Sequence, residues 1–263
     1  MSGAWRSATR RPHGKWSVWK YGWIVHHRVI DALERVRGHA RGLLLDVGCG
    51  AKPFAGVFRG VTYLGCDLVA SPFPEDPRPE VLARAEMLPF RDGSIDTVFC
   101  ISTLNYLPEP VRMLEEAHRV LRRDGAVIVE FLQMAPPDQP DDYLRFTRAG
   151  ALELLRRAGL EPLECVPIGG LWARVGLSAI HRLKSWNRGP TRVLTELPVR
   201  ALYAALQLVF DALDRVRLDP DEVLAHVIVA RPMEATSPLT ARAVPPATAA
   251  APDRGTGGAT TRA

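Results

Sequence analysis

The chain has 263 residues, of which 47% are hydrophobic and 24% charged, and a formal net charge of +5. That length suits one large α/β domain with additions, and that balance belongs to a globular protein rather than to a fibrous or wholly disordered chain. No run reaches the roughly 18 apolar residues of a membrane-crossing helix. Cys49, Cys66, Cys100 and Cys165 form no CxxC pair and no metal-like group with histidine, so reduced thiols, a cytoplasmic setting and no metal site are expected.

Residues 1–21 are polar and basic, with Arg6, Arg10, Arg11, Lys15 and Lys20 and scattered tryptophans, and are expected to be partly disordered. They hold no apolar segment of the kind a secretory leader needs. A second basic stretch runs from Arg174 to Arg192. Such patches suit nucleic acid, an acidic membrane surface or a phosphorylated substrate, or are simply a solvated face.

The domain proper is expected over 22–232. Ile24, Ile30, Leu33 and Val36 recur at helical spacing over about 22–38. The apolar run Gly42–Val47 then reads as a buried parallel strand that meets a tight turn at Gly48. Further strands are expected at 62–66, 97–101, 126–131 and 226–230. Helices are expected over 109–122 and 147–158, the latter capped by Thr147. Strands alternating with helices predict an α/β doubly wound sheet, mostly parallel, with right-handed crossovers.

Residues 167–222 are a helical insertion before the last strand. In it Trp172, Val175, Ala179, Ile180, Leu183 and Trp186 fall on one face, beside Arg174, His181, Arg182, Lys184 and Arg188. A second apolar helix spans about 196–216, with Leu202, Leu206, Val209, Phe210 and Leu213. Such basic amphipathic helices suit a peripheral contact with the inner face of a membrane near 172–186, a lid over an apolar substrate, a homodimer interface, or plain capping of the sheet. The tail 233–263 is rich in Ala, Thr, Pro, Gly and Arg and is expected to be disordered.

The chemistry concentrates where the first strand ends. Leu43–Gly50 delivers an acid, Asp46, and then Gly48 and Gly50. Glycine permits positive φ and close approach of a ligand to the backbone, and the turn lies at the carboxyl end of a strand, where doubly wound sheets bind ligands. A dinucleotide would want a third glycine, but Pro53 stands at that position, and an acid suits no pyrophosphate. S-adenosylmethionine carries an ammonium and a sulfonium, which the acid favours. Asp67 ends the second strand, where a carboxylate can accept hydrogen bonds from both ribose hydroxyls of either cofactor.

Three further stretches separate the two cofactors. They are Ala85-Glu-Met-Leu-Pro-Phe90 with Arg91–Asp96, then Leu104-Asn-Tyr-Leu-Pro-Glu-Pro110, then Arg119–Gly125 before another strand. Together with the Asp-x-Gly-Cys-Gly-x-x-Pro loop, this ordered set resembles the class I S-adenosylmethionine-dependent methyltransferases of the bacterial methyltransferase-domain type, over about 42–166 and 226–230. The resemblance implies a Rossmann-like, mostly parallel seven-stranded sheet with the helical insertion before its last strand. It implies that Asp46, Gly48, Cys49 and Gly50 line the methionine part of the cofactor. It places Asp67 on the ribose, Leu68 against the adenine, and Ala85, Glu86 and Met87 at the adenine edge. Ile101 and Ser102 lie on the sulfonium side. Arg84 stands where the family often has an acid, and Asn105-Tyr106 where many relatives have Glu-His.

The acceptor is expected to be a small molecule, apolar or linked to lipid or sugar, since no motif for methylating nucleic-acid bases follows the fourth strand. Tyr106 and Tyr143 are the candidates for positioning or deprotonating it, each with plain packing as the alternative, and Arg145 is a candidate substrate contact. His118 falls at core spacing on its helix and reads as structural. A relative that binds the cofactor as a scaffold without turnover, and a nicotinamide-dependent oxidoreductase, are the competing readings.

Overall fold

A computed structural model describes residues 17–70, 76–137, 140–186, 192–216 and 222–233. The expected disorder of residues 1–16 and 234–263 lies outside them. Helix α1 (Trp23–Val36) leads into strand β1 (Leu43–Val47), followed by β2 (Thr62–Asp67), the two-residue β3 (Val81–Leu82) and β4 (Ile95–Cys100). Then come α2 (Pro110–Val120), β5 (Leu121–Leu132), α3 (Arg148–Arg157) and β6 (Leu160–Ile168). The insertion forms α4 (Leu171–Trp186) and α5 (Arg192–Val216), and β7 (Ala225–Pro232) closes the fold.

The strands form one seven-stranded sheet in the order β3-β2-β1-β4-β5-β7-β6. All neighbouring pairs are parallel except those of β7, which runs antiparallel to β5 and β6. β1 pairs with β2 on one side and with β4 on the other, so the strand order reverses between β1 and β4. In doubly wound sheets ligands bind beyond the carboxyl ends of the strands at such a reversal.

Neighbouring residues of the central strands feed two cores, because side chains alternate across a sheet. Leu45, Val98, Val127 and Val129 pack with Met113 and Leu114 of α2 and Leu152 and Leu155 of α3. Leu44, Phe99 and Ile128 pack on the other face with Val29, Leu33 and Val36 of α1. Pro110 opens α2, where a missing N–H costs nothing. The Thr147 side chain caps α3 by accepting from Gly150 N at 3.1 Å.

The seven-stranded sheet agrees with expectation, but the sequence reading gave no bounds for β3 and β6. β6 carries Pro162 and Pro167 and sits at the edge of the sheet, the position where proline is tolerated. The insertion also departs from expectation. On α4 the buried positions are Ala173, Gly176, Leu177 and Ile180, whereas Trp172 and Val175 are about two-fifths exposed. On α5 the buried positions are Tyr203, Ala204, Gln207, Asp211 and Asp214, so the apolar side chains Leu202, Val209 and Leu213 point outward. The residues just before α1 are ordered against these helices. Gln207 Nε2 donates to Val18 O at 2.7 Å, and the Tyr21 hydroxyl lies 2.9 Å from His181 Nδ1.

Candidate active site

Burial of β1 carries Asp46 into the core edge, where it is only 4% exposed. Burial pushes its carboxyl up to about 7, the hydrogen bond donated by the Tyr63 hydroxyl opposes that shift, and the negative charge of Asp67 adds to it. Burial and then Asp46 hold the Tyr63 phenol far above its usual range, so it stays a donor. The chain turns at Gly48, with φ 76°, and a Cβ there would stand 2.1 Å from Thr103 Oγ1, so a side chain would strain the turn and displace Thr103. Gly48 N and Cys49 N both donate to Cys66 O, at 2.8 and 3.2 Å, and so fix the turn against β2. The Cys49 thiol is buried, and burial followed by the charge of Asp46 raises it far above its usual range. It packs the turn and is no nucleophile.

Asp67 is pinned by three amides. Oδ2 accepts from Gly50 N at 2.8 Å, and Oδ1 from Leu68 N at 2.7 Å and Val69 N at 3.4 Å. A carboxylate has about four acceptor positions, so this one is oriented and still able to accept. Ala83 N donates to Asp67 O at 2.9 Å and brings the 83–87 stretch beside it. In that stretch Ala85 and Glu86 are half-buried, Glu86 pairs with Arg84 at 3.5 Å, and Met87 is 71% exposed. Leu68, Val69 and Leu82 are likewise more than three-fifths exposed.

The other wall follows β4. Ile101 is buried, and Ser102 takes φ 54°, a conformation that costs a residue with a Cβ. Glu130, buried on β5, holds it there: one carboxylate oxygen accepts from Ser102 N at 2.7 Å and from its hydroxyl at 2.8 Å. Burial raises the Glu130 carboxyl and these two hydrogen bonds oppose the shift. Tyr106, half-buried, ends the short 3-10 turn that follows. Asn105 O accepts from Tyr143 N at 2.9 Å, and Asn105 Nδ2 donates to Asp142 Oδ1 at 2.8 Å, which brings the 141–146 loop and its 57% exposed Tyr143 to this turn. Asn105 thus gains a use, as the staple between two loops.

Arg145 is placed differently from expectation. Its five N–H groups go to Ala135 O, Leu144 O and both oxygens of Asp142, so it ties its own loop together and has no donor left for a substrate. His118 lies at the amino-terminal edge of the sheet beside Gly159, away from the crevice. Reasoning from sequence missed Tyr63, Glu130 and the buried Lys52, whose ammonium pairs with Glu80 while Glu80 Oε2 accepts from Gly65 N at 2.6 Å. The only sequence signal for Tyr63 and Glu130 is their place on the site strands.

Residues 45–129 match the family model described as methyltransferase domain. Over those residues the chain is similar to a methyltransferase domain. The chain is 33% identical over 111 residues to the uncharacterized protein MJ1123 of Methanocaldococcus jannaschii, covering 40% of this chain and 51% of that protein. It is 34% identical over 162 residues to the methyltransferase GfsG of Streptomyces halstedii, covering 51% and 58%. The chain therefore spans about half the length of the curated relatives it matches. Among solved structures the [4+2]-cyclase SpnF superposes with a TM-score of 0.54 at 22% identity, covering 88% of this chain and 93% of that one. That likeness concerns the fold alone, and a cyclase on this fold shows that the chemistry must be argued from the site.

The residues gathered at the ends of β1, β2 and β3 fit S-adenosylmethionine. A Cβ at Gly50 would meet nothing within 4 Å, so the loop is open on the crevice side. A fixed carboxylate, Asp67, stands beside exposed apolar side chains at the ends of β2 and β3, which is what a ribose joined to an adenine ring requires. Negative carboxylates at two adjacent strand ends favour a cationic ligand over a pyrophosphate.

Proposed function

We propose that this chain transfers the methyl group of S-adenosylmethionine to a small-molecule acceptor, apolar or linked to a lipid or sugar. The observation that carries the reading is the pair Asp46 and Asp67, at the ends of adjacent parallel strands, with the Gly48–Gly50 turn between them at the point where the strand order reverses. In this reading Asp67 holds the ribose and Leu68 and Met87 flank the adenine. Ala85 and Glu86 edge the ring, and Asp46, Gly48, Cys49 and Gly50 surround the amino-acid end. When bound, the cofactor supplies an electrophilic methyl group on a sulfonium.

The chain's own work is to place the acceptor in line, and good alignment alone supplies effective molarities of about 10⁵ M or more. Ile101 and Ser102 form the wall on the reacting side. The Asn105 staple joins the backbones of the loops that carry Tyr106 and Tyr143, which supports reading their phenols as the groups that orient an acceptor or take its proton. The insertion bears on acceptor class. β6 runs parallel to β5 and ends at Ile168, so α4 rises from the same edge of the sheet that carries the site. Its apolar surface suits an apolar acceptor.

Calorimetry with S-adenosylmethionine, followed by incubation of cell extract with methyl-labelled cofactor and separation into lipid, small-molecule, protein and nucleic-acid fractions, tests the reading. Binding with label in the lipid or small-molecule fraction is expected. Absence of binding refutes it, label confined to protein or nucleic acid refutes the acceptor class, and binding without label in any fraction identifies a scaffold.

A further inference from the structure

Glu130 does more than its contacts require. It follows Val129 of β5, which pairs with Cys100 at the end of β4, so it stands at the carboxyl edge of the sheet. The residue is 5% exposed. Oε2 accepts from Ser102 N at 2.7 Å and from the Ser102 hydroxyl at 2.8 Å. Oε1 accepts no hydrogen bond from the described residues, and it is not sealed from solvent, so the small exposed part of Glu130 includes it.

The clamp on Ser102 does not account for an acid. A glutamine would offer one amide oxygen to the same two donors with no ionisable group. Burial raises the Glu130 carboxyl, the two bonds from Ser102 oppose that, and no cation among the described residues joins them. A buried acid without a cation costs stability, and such groups gather where chemistry is done. The carboxyl also adjoins the Gly48–Gly50 turn. Ser102 is exposed and precedes Thr103, and a Cβ on Gly48 would lie 2.1 Å from Thr103 Oγ1. Gly48, Thr103, Ser102 and Glu130 are thus joined in succession from the turn to β5.

We propose that Glu130 is a catalytic residue, the base whose Oε1 receives the proton of a hydroxyl or amine acceptor. The proposal rests on the methyl-transfer reading above and narrows its acceptor to one whose reacting oxygen or nitrogen bears a proton. As the acceptor lone pair forms its bond to the methyl carbon, the bond from that carbon to sulfur breaks and its electron pair stays on sulfur. The acceptor's proton passes to the ionised Glu130 carboxylate and from there to water. The sulfonium charge and the carboxylate charge vanish together, so charge balances. Tyr106 and Tyr143 then orient the acceptor. A carboxyl raised toward neutrality is better matched to this work than one in the ordinary range.

The test is Glu130→Gln in the full chain, with two readouts. The first is calorimetry with S-adenosylmethionine and S-adenosylhomocysteine. Both carry the ammonium and the ribose, and only the former carries the sulfonium, so the ratio of their affinities reads a charge at the reacting end. That ratio should fall by about threefold or more in Glu130→Gln and move less in Asp67→Ala. The second is incubation with methyl-labelled cofactor and the acceptor fraction of cell extract. Glu130→Gln should label it about 100-fold more slowly than wild type. Glu130→Asp keeps a carboxyl and should recover part of that rate. With carbon-13 in the transferred methyl group, NMR of the product should place it on oxygen or nitrogen. A wild-type rate in Glu130→Gln, an unchanged affinity ratio, or a methyl group on carbon overturns the proposal. If urea titration shows Glu130→Gln unfolded, Glu130→Asp decides, and a wild-type rate there overturns the proposal. A wild type that binds no S-adenosylmethionine or labels nothing overturns the underlying reading, whereas an active wild type with an equally active Glu130→Gln overturns this one alone.

Discussion

Asp46 and Asp67 have the same side chain in different surroundings, and that difference predicts different mutant behaviour. Asp67 is half-buried and held by three amides, so its charge is oriented toward the crevice. A charge-assisted hydrogen bond is worth roughly 1.5–3 kcal/mol. Asp67→Ala should therefore weaken S-adenosylmethionine by at least about tenfold in calorimetry. Asp46 is buried, and its carboxyl is raised to about 7 from an ordinary 3.8. Between those two values the folded chain binds more protons at this group than the unfolded chain, so the group's contribution to stability falls as pH rises through that window. Asp46→Asn keeps the bond donated by Tyr63 and removes the charge. It should melt a few degrees above wild type at pH 8, with the gap narrowing as pH falls below about 7 and closing only near pH 4, and it should bind the cofactor more weakly. A gap that does not change with pH would show that Asp46 is already neutral throughout or well solvated.

At the scale of elements, the loops are held by groups on the next strand. Ser102 stands at φ 54° because Glu130 of β5 accepts both its N–H and its hydroxyl. Such a conformation costs on the order of 1–3 kcal/mol and persists only when its surroundings impose it. Glu130→Ala should lower unfolding free energy by about 2 kcal/mol in urea titration and weaken cofactor binding, because the wall of the crevice relaxes. Glu130→Gln retains an acceptor and should lose less than half as much. Equal losses would mean that the charge, not the hydrogen bonds, does the holding. The same scale shows what sequence can convey. β1, β4 and β5 were legible because strands buried on both faces need continuous apolar runs, and Asp46 and Asp67 because they end such runs. β6 was not, since its two prolines and its glutamates imitate a loop, and only its edge position makes them tolerable. The direction of α5 was not legible either, because buried Gln207, Asp211 and Asp214 look like surface residues until their partners on distant segments are known. Arg145 looked like a substrate contact for the converse reason, as its neighbours in the loop take every donor.

At the scale of the molecule, the insertion is attached to the sheet through one buried ionic node rather than through apolar packing alone. Asp214 of α5, fully buried as a side chain, accepts from Gly170 N at 2.9 and 2.8 Å and from Ala173 N at 3.2 Å, and thereby caps the start of α4 from another helix. Arg28 of α1 lies 3.6 Å from Asp214 and 2.8 Å from Asp211, so three helices meet there. Removing one partner of a buried charge pair leaves the other unpaired, which typically costs about 3–5 kcal/mol, and the loss of the cap adds roughly 1 kcal/mol. Asp214→Ala should therefore be strongly destabilising in urea titration. It should free α4 and α5 first, read as faster amide exchange in the hairpin than in β1, β4 and β5. Arg215 is the control, since its own side chain is 58% exposed and Asp211 keeps Arg28 as a partner without it. Arg215→Ala should move stability by less than about 1 kcal/mol. If Asp214→Ala were as mild, the hairpin would be held by its contacts with Ile24 and Leu224 alone, and the buried node would not fix how the insertion sits over the site.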